Sequence, residues 1–437
     1  MSHQTTRRTF LKTTAAAAAA SALPDWARAA GAGRKPNIVL IMADDLGYEG
    51  LSCYGATSYK TPVLDELART GIRFSHCYAQ PLCTPSRVQI MTGRYNFRNY
   101  TQFGMLEPKE RTFAHMLKAA GYATCAVGKW QLWRKGKGTL PEQAGFDDHC
   151  LWQVKTKGRR YWHPRIQVNG KLHKEMTAKY GPDVFADHAC AFIEKNKDRP
   201  FFLYYPMVLT HSPFPPTPDS GVTPPTPERA GKNGKGGSDK KYFVDMVAYT
   251  DKMVGRIVKK LDALGLRENT LILFTGDNGS PRNITTKMHN GQIRGGKGNT
   301  NDAGTRVALV ANWSGAIPAG RVCEDLVDFS DFMPTLAEVG GGKPPAGVTL
   351  DGRSFLPQLR GQTGNPREWV LCHYDPKWGK WKFSRSARDK RYRLYHDGRL
   401  FDTVQDVLEK KPIPAGQGSA EAEAARRKLQ KVLDTIK

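Results

Sequence analysis

The sequence predicts an α/β protein: a large, mixed but mostly parallel sheet flanked by helices on both faces, then a smaller C-terminal antiparallel sheet with a helix. Three observations predict it. Continuous apolar runs at 36–43, 200–208 and 269–275 have the texture of strands buried on both faces. Stretches of helical period lie between them, the alternation that builds parallel sheets. From about residue 366 the texture changes to short strands with turns between, at 369–374, 382–386, 392–396 and 399–401, closed by an amphipathic helix over 420–436. A catalytic-size domain over 34–362 and a small α+β unit over 366–437 follow from this change.

The elements can be taken in order. Pro36 to Ala43 is the first buried strand. Residues 61–70 form a helix with Leu64, Leu67 and Ala68 on one face, started by Thr61-Pro62 and stopped by Gly71. A short strand over 72–78 leads into Cys83-Thr84-Pro85-Ser86-Arg87. Pro85 suits a first helical turn and Gly93 a C-cap, so a short helix lies between. A helix over 113–120 and a strand over 122–127 come next, then a basic, aromatic segment at 152–180. Its Asn169-Gly170 pair predicts a hairpin over 166–172. Its rings and cations, Trp152, Lys155, Lys157, Arg159, Arg160, Tyr161 and Trp162, suit a glycan-contacting insertion or an ordinary surface hairpin. A helix over 183–196, the strand 200–208, a Pro-, Gly- and Lys-rich loop over 214–241 and a long helix over 242–264 precede the strand 269–275.

The formal net charge is +25. Residues 1–29 hold Arg7, Arg8, Lys12 and Arg28 against Asp25, a net of +3, leaving +22 on the rest. Such a surface suits a polyanion, whether nucleic acid, anionic membrane or sulfated polysaccharide, and charge alone does not choose. No nucleic-acid recognition motif is present. Thr6-Arg7-Arg8-Thr9-Phe10-Leu11-Lys12 resembles the twin-arginine export signal of bacteria, with an alanine-rich run and a small-x-small site at Ala27-Arg28-Ala29. Residues 1–29 are therefore read as a signal peptide and the product as periplasmic or secreted. No later stretch reaches membrane-spanning length without charges. None of the eight cysteines has C-x-x-C spacing, and their pairing after export is open.

The chemistry-bearing residues sit where these elements end. Cys83 falls at a helix N-terminus, which favours an anion, and Arg87 lies one turn on along the same face. The first strand ends in Asp44-Asp45 and the strand 269–275 leads into Gly276-Asp277-Asn278-Gly279. Adjacent carboxylates at a strand tip suit a turn or cap as readily as a cation. Neighbouring strand tips of a parallel sheet form the crevice where ligands sit. Lys129 ends the strand 122–127 and is a candidate anion clamp or a solvated lysine. His211 follows a buried strand and precedes Ser212-Pro213-Phe214.

Cys83-Thr84-Pro85-Ser86-Arg87, with Thr92-Gly93-Arg94 behind it, resembles the sulfatase signature, and the likeness extends over about 34–410. It implies a formylglycine-dependent, arylsulfatase-like enzyme of the alkaline phosphatase superfamily. In that family the cysteine is oxidised by a maturation enzyme to formylglycine (3-oxoalanine). Its hydrate carries two hydroxyls, one to attack sulfur and one to expel sulfate. The resemblance implies Asp44, Asp45, Asp277, Asn278 and the modified Cys83 as ligands of Ca²⁺, or of Mg²⁺. It makes Arg87, Lys129 and Lys297 (in Arg294-Gly295-Gly296-Lys297) sulfate contacts, and His211 the proton donor to the leaving alcohol. Asp331-Phe332-Met333-Pro334-Thr335-Leu336 and Asp351-Gly352-Arg353-Ser354 also match family landmarks.

Departures are few. Gln131 and Trp133 stand where the family's Gly-Lys-Trp-His-Leu-Gly has histidine and glycine, and glutamine does not take up a proton near neutral pH. Gln131 is kept as a substrate-binding residue. Asp302, Ala303 and Ala308 replace the family's Glu, Gly and Pro, at positions without assigned chemistry. The implied function is hydrolysis of a sulfuric ester, with a sulfated polysaccharide or small sulfate ester as substrate. A phosphonate or phosphodiester hydrolase of the same superfamily, or an inactive binder of sulfated glycans, are the other readings.

Overall fold

The computed structural model describes residues 34–232 and 234–436; the signal over 1–29 lies outside the described residues. In chain order the strands are β1 (Asn37–Ala43), β2 (Ile72–Tyr78), β3 (Ala123–Lys129), β4 (Trp133–Arg134), β5 (Lys137–Gly138), β6 (Asp148–Trp152), β7 (Ile166–Val168), β8 (Lys171–His173) and β9 (Phe201–Pro206). Then come β10 (Thr270–Gly276), β11 (Thr285–Met288), β12 (Gly291–Arg294), β13 (Arg306–Asn312), β14 (Arg321–Asp328), β15 (Val370–Tyr374), β16 (Ser384–Arg388), β17 (Tyr392–Tyr395) and β18 (Leu400–Asp402). The large sheet has ten strands in the order β14-β2-β13-β10-β1-β9-β3-β6-β7-β8. Its centre, β10-β1-β9-β3-β6, is parallel, while β13 runs antiparallel between β10 and β2. The mixed, mostly parallel sheet expected from the apolar runs is therefore present.

Alternation along β1 shows why that run is wholly apolar. Val39, Ile41 and Ala43 enter one core and Ile38, Leu40 and Met42 the other, as period-two side chains must. Helices Pro62–Arg69, Gly181–Lys195 and Phe243–Ala263 cover the first face. Helices Cys83–Thr92, Phe113–Ala119 and Phe332–Gly340 cover the second. The predicted hairpin is β7–β8, turning at Asn169 and Gly170 with positive φ at both, and it extends the sheet edge. All eight cysteines are unpaired.

The C-terminal sheet, β15-β16-β17-β18, is antiparallel and packs Leu371, Ala387 and Leu394 against helix Ala420–Asp434 through Leu429 and Leu433. Buried ion pairs tie it to the large sheet. Asp302, just before β13, accepts from Arg388 at 2.5 Å and from Arg393 at 2.6 Å. Asp331 likewise holds Arg367. Asp302→Ala strands the buried Arg388 guanidinium and leaves Arg393 with Glu409 alone, so a loss of about 3–5 kcal/mol is expected. Chemical denaturation of the variant against the parent checks it.

Candidate active site

Strand ends build the site. Asp44 and Asp45 follow β1, Asp277 and Asn278 follow β10, and Lys129 ends β3. Parallel register sets these tips side by side: Ala43 pairs with Gly276. Asp45 bends out of the strand at φ +63°, and its N–H donates to Asp277 Oδ1 at 3.0 Å. Gly128 (φ +118°) lies so close to β9 that a Cβ there would stand 2.1 Å from the Pro206 carbonyl oxygen. This close approach puts Lys129 within reach of Asp44. Cys83 opens helix Cys83–Thr92, which ends at Gly93 with φ +67°.

Three carboxylates are thereby buried together, each with a cation. Lys129 Nζ donates to both Asp44 oxygens at 2.8 Å, and Arg160 reaches Asp44 Oδ2 at 3.4 Å. Lys297 Nζ lies 2.5 Å from Asp45 Oδ2, with His211 Nε2 3.6 Å from the same oxygen. Arg87 donates to Asp277 Oδ2 and to the Lys129 carbonyl, both at 3.1 Å. Burial and then the Asp44 carboxylate push the Asp277 carboxyl up to about 7. Burial brings the His211 imidazole down to about 3, against the pull of Asp45. Burial also raises the Cys83 thiol.

Ligand atoms of Asp44, Cys83 and Asp277 fall within 4.8 Å of one another, as do those of Asp44, Asp45 and His211. Asn278 donates through Nδ2 to Asp45 Oδ1 at 2.9 Å and to the Gly279 carbonyl at 3.0 Å. Its Oδ1 is buried without a hydrogen-bond partner. An oxygen with no donor to meet it, beside three buried acids, fits a hard cation. Four protein oxygens suit Ca²⁺ or Mg²⁺ and not zinc.

Above this floor opens a cleft of about 1090 Å³ lined by Cys83, Gln131, His211 and Lys297 among others. Cys83 Sγ donates to Gln131 Oε1 at 3.3 Å, so the glutamine stands directly beside the cysteine. The ten site residues named from sequence therefore converge, though Lys129 and Arg87 lie beneath the floor at about 1% exposure. Arg160 is the residue whose place sequence did not show: its guanidinium stacks 3.8 Å over Trp152 on its way to Asp44. Nothing in its local sequence separates it from Arg159, which pairs with Glu175 instead. Of the basic, aromatic segment at 152–180, Trp152, Lys155, Lys157 and Arg160 line the cleft, while other parts of it do not. Tyr161 and Trp162 are core residues, the Tyr161 hydroxyl donating to the carbonyls of Val208 and His211, and the β7–β8 hairpin does not line the cleft.

The fold and site define a hydrolase of charged esters, with an acid cluster at parallel strand tips beside a helix N-terminus. The profile of the sulfatase family matches residues 36–342, so the chain belongs to the sulfatases and is a sulfuric ester hydrolase of the alkaline phosphatase superfamily. It is 31% identical to steryl-sulfatase of Mus musculus, over 80% of this chain and 69% of that protein. It is 33% identical to arylsulfatase A of Homo sapiens, over 78% and 71%. A crystal structure of Ps i-CgsB in complex with k-i-k-neocarrahexaose superposes with a TM-score of 0.74 at 26% identity, covering 92% of each chain. A twin-arginine signal sequence matches residues 4–24, which marks the chain for export to the periplasm or beyond. Among the described residues no helix is long and apolar enough to cross a membrane.

Proposed function

We propose that this sulfatase releases sulfate from a sulfated polysaccharide, using formylglycine at Cys83 and Ca²⁺, or Mg²⁺, held by Asp44, Asp45, Asp277 and Asn278. The observation that carries this is the buried acid cluster with its orphaned Asn278 oxygen, directly beside Cys83. The aldehyde hydrate and the cation together supply an activated oxygen nucleophile and charge neutralisation.

The chain's own residues do the rest. Lys297 faces the cleft and takes a sulfate oxygen, while Lys129 and Arg87 hold Asp44 and Asp277 in place and add positive charge under the reacting sulfur. His211 lines the cleft and passes a proton to the departing alcohol oxygen, the negative ester beside it favouring its protonated form. Gln131 holds the residue-83 side chain by a hydrogen bond. The glycan assignment is supported by the cation-lined cleft and by the neocarrahexaose bound to the similar Ps i-CgsB.

A panel of sulfate, phosphate and phosphonate esters tests the reading, with free sulfate counted per enzyme. Many sulfates per enzyme molecule, and sulfate esters preferred, are expected. Release of no more than one sulfate per enzyme points to a binder, and preference for phosphonates to the other hydrolase.

A further inference from the structure

The walls of the cleft carry charge of one sign. Arg134 and Lys135 come from the β4–β5 ribbon, Lys155 and Lys157 from the segment after β6, and Lys235 and Lys240 from the loop before helix Phe243–Ala263. The chain has 41 acidic residues, yet among the described residues none that lines the cleft is Asp or Glu. The floor's carboxylates are taken up by Lys129, Arg160, Lys297 and Arg87. The five wall lysines are exposed, and among the described residues none holds a carboxylate. Like charges crowded around one opening repel, and that repulsion is relieved when a polyanion enters.

Room and placement agree. At about 1090 Å³ the cleft sits at the top of the range for small-molecule sites, beyond what one sugar and one sulfate fill. Lys155 and Lys157 precede Arg160 by five and three residues, on a segment that reaches both the floor and the exposed wall. We infer that the cleft binds, besides the sulfate it cleaves, at least one uncleaved sulfate of a multiply sulfated chain, held by Lys155 and Lys157. This rests on the sulfatase reading of the floor and narrows the substrate to multiply sulfated chains.

The test uses a small ester, 4-nitrophenyl sulfate, and dextran sulfate as a polysulfated competitor, on the parent enzyme, K155A/K157A and K155R/K157R. Both lysines are exposed, so the variants are expected to fold. The inhibition constant of dextran sulfate should rise about tenfold in K155A/K157A. It should return in K155R/K157R and weaken with added salt in the parent. kcat/KM for the small ester should be unchanged in all three. An unchanged inhibition constant, or an equal loss on the small ester, overturns the inference. If the parent cleaves no sulfate ester, the hydrolase reading fails instead, and calorimetric binding of dextran sulfate to the same proteins still decides the role of the wall lysines.

Discussion

Replacing Cys83 by alanine is expected to abolish sulfate release, by about 10⁴-fold or more in kcat, while the protein still folds. Cys83 is buried at the start of a ten-residue helix, where its side chain meets Gln131 and packs in a small apolar cluster with Leu82, Phe103 and Tyr374. Losing it removes a single sulfur atom at the edge of the cleft, so the unfolding midpoint should move little. The variant also separates two properties of the cluster. Without residue 83 as a nucleophile, the acids and lysines still form a charged floor, so sulfated glycan should bind without being cleaved. Mass spectrometry of the peptide holding Cys83, beside turnover on a small aryl sulfate, makes the measurement. An unmodified thiol in fully active enzyme would falsify the formylglycine assignment.

Chelation should produce the second large effect. Three carboxylates are buried within a few ångströms of one another, and Asp277 is pushed up to about 7 by burial and by Asp44. Arg87 offsets only part of that rise, and a divalent cation beside the carboxylate would favour its ionised form further. Removing divalent ions with EDTA should lower activity by more than about 10²-fold, and Ca²⁺ should restore it. The same ion should stabilise the fold, because a ligand present at about a hundred times its dissociation constant contributes roughly 2.7 kcal/mol. A rise of a few degrees in the unfolding midpoint on adding Ca²⁺ is therefore expected, and Asp277→Asn should abolish most of it. Full activity in exhaustively chelated protein, with no change in melting, would remove the metal from the account.

What could be read from the chain follows from how local each signal is. β1, β9 and β10 were legible because both faces of each strand are buried, which leaves no polar residue to break the run. β14 was not. Its first part, Arg321 to Asp325, is largely exposed, with Cys323 half-buried against the core, and of its residues Leu326, Val327 and Asp328 are the buried ones. β13 was hidden behind a segment valued for its matching residues and not for its pattern. Among site residues, Asp44, Asp45, Asp277 and Cys83 stand at element ends, where strand and helix logic already placed them. Arg160 is set by a long-range stack on Trp152 and a bond to a residue 116 positions away, and no local pattern encodes that. Asp302 gave the same lesson from the other side. It departs from the family's usual residue, and its partners Arg388 and Arg393, in the C-terminal sheet, show it to be a structural clamp.

The depth of Cys83 carries a consequence for the order of events in the cell. With only 2% of its surface reachable, the thiol lies too far inside for another protein to close around its backbone. On the formylglycine reading, a catalyst that oxidises it meets the chain before helix Cys83–Thr92 is buried. A twin-arginine route takes cargo only once it is compact. If Cys83 is the formylglycine position proposed above, its oxidation falls between ribosome and translocon, on the inner side of the membrane that the twin-arginine signal directs the chain across.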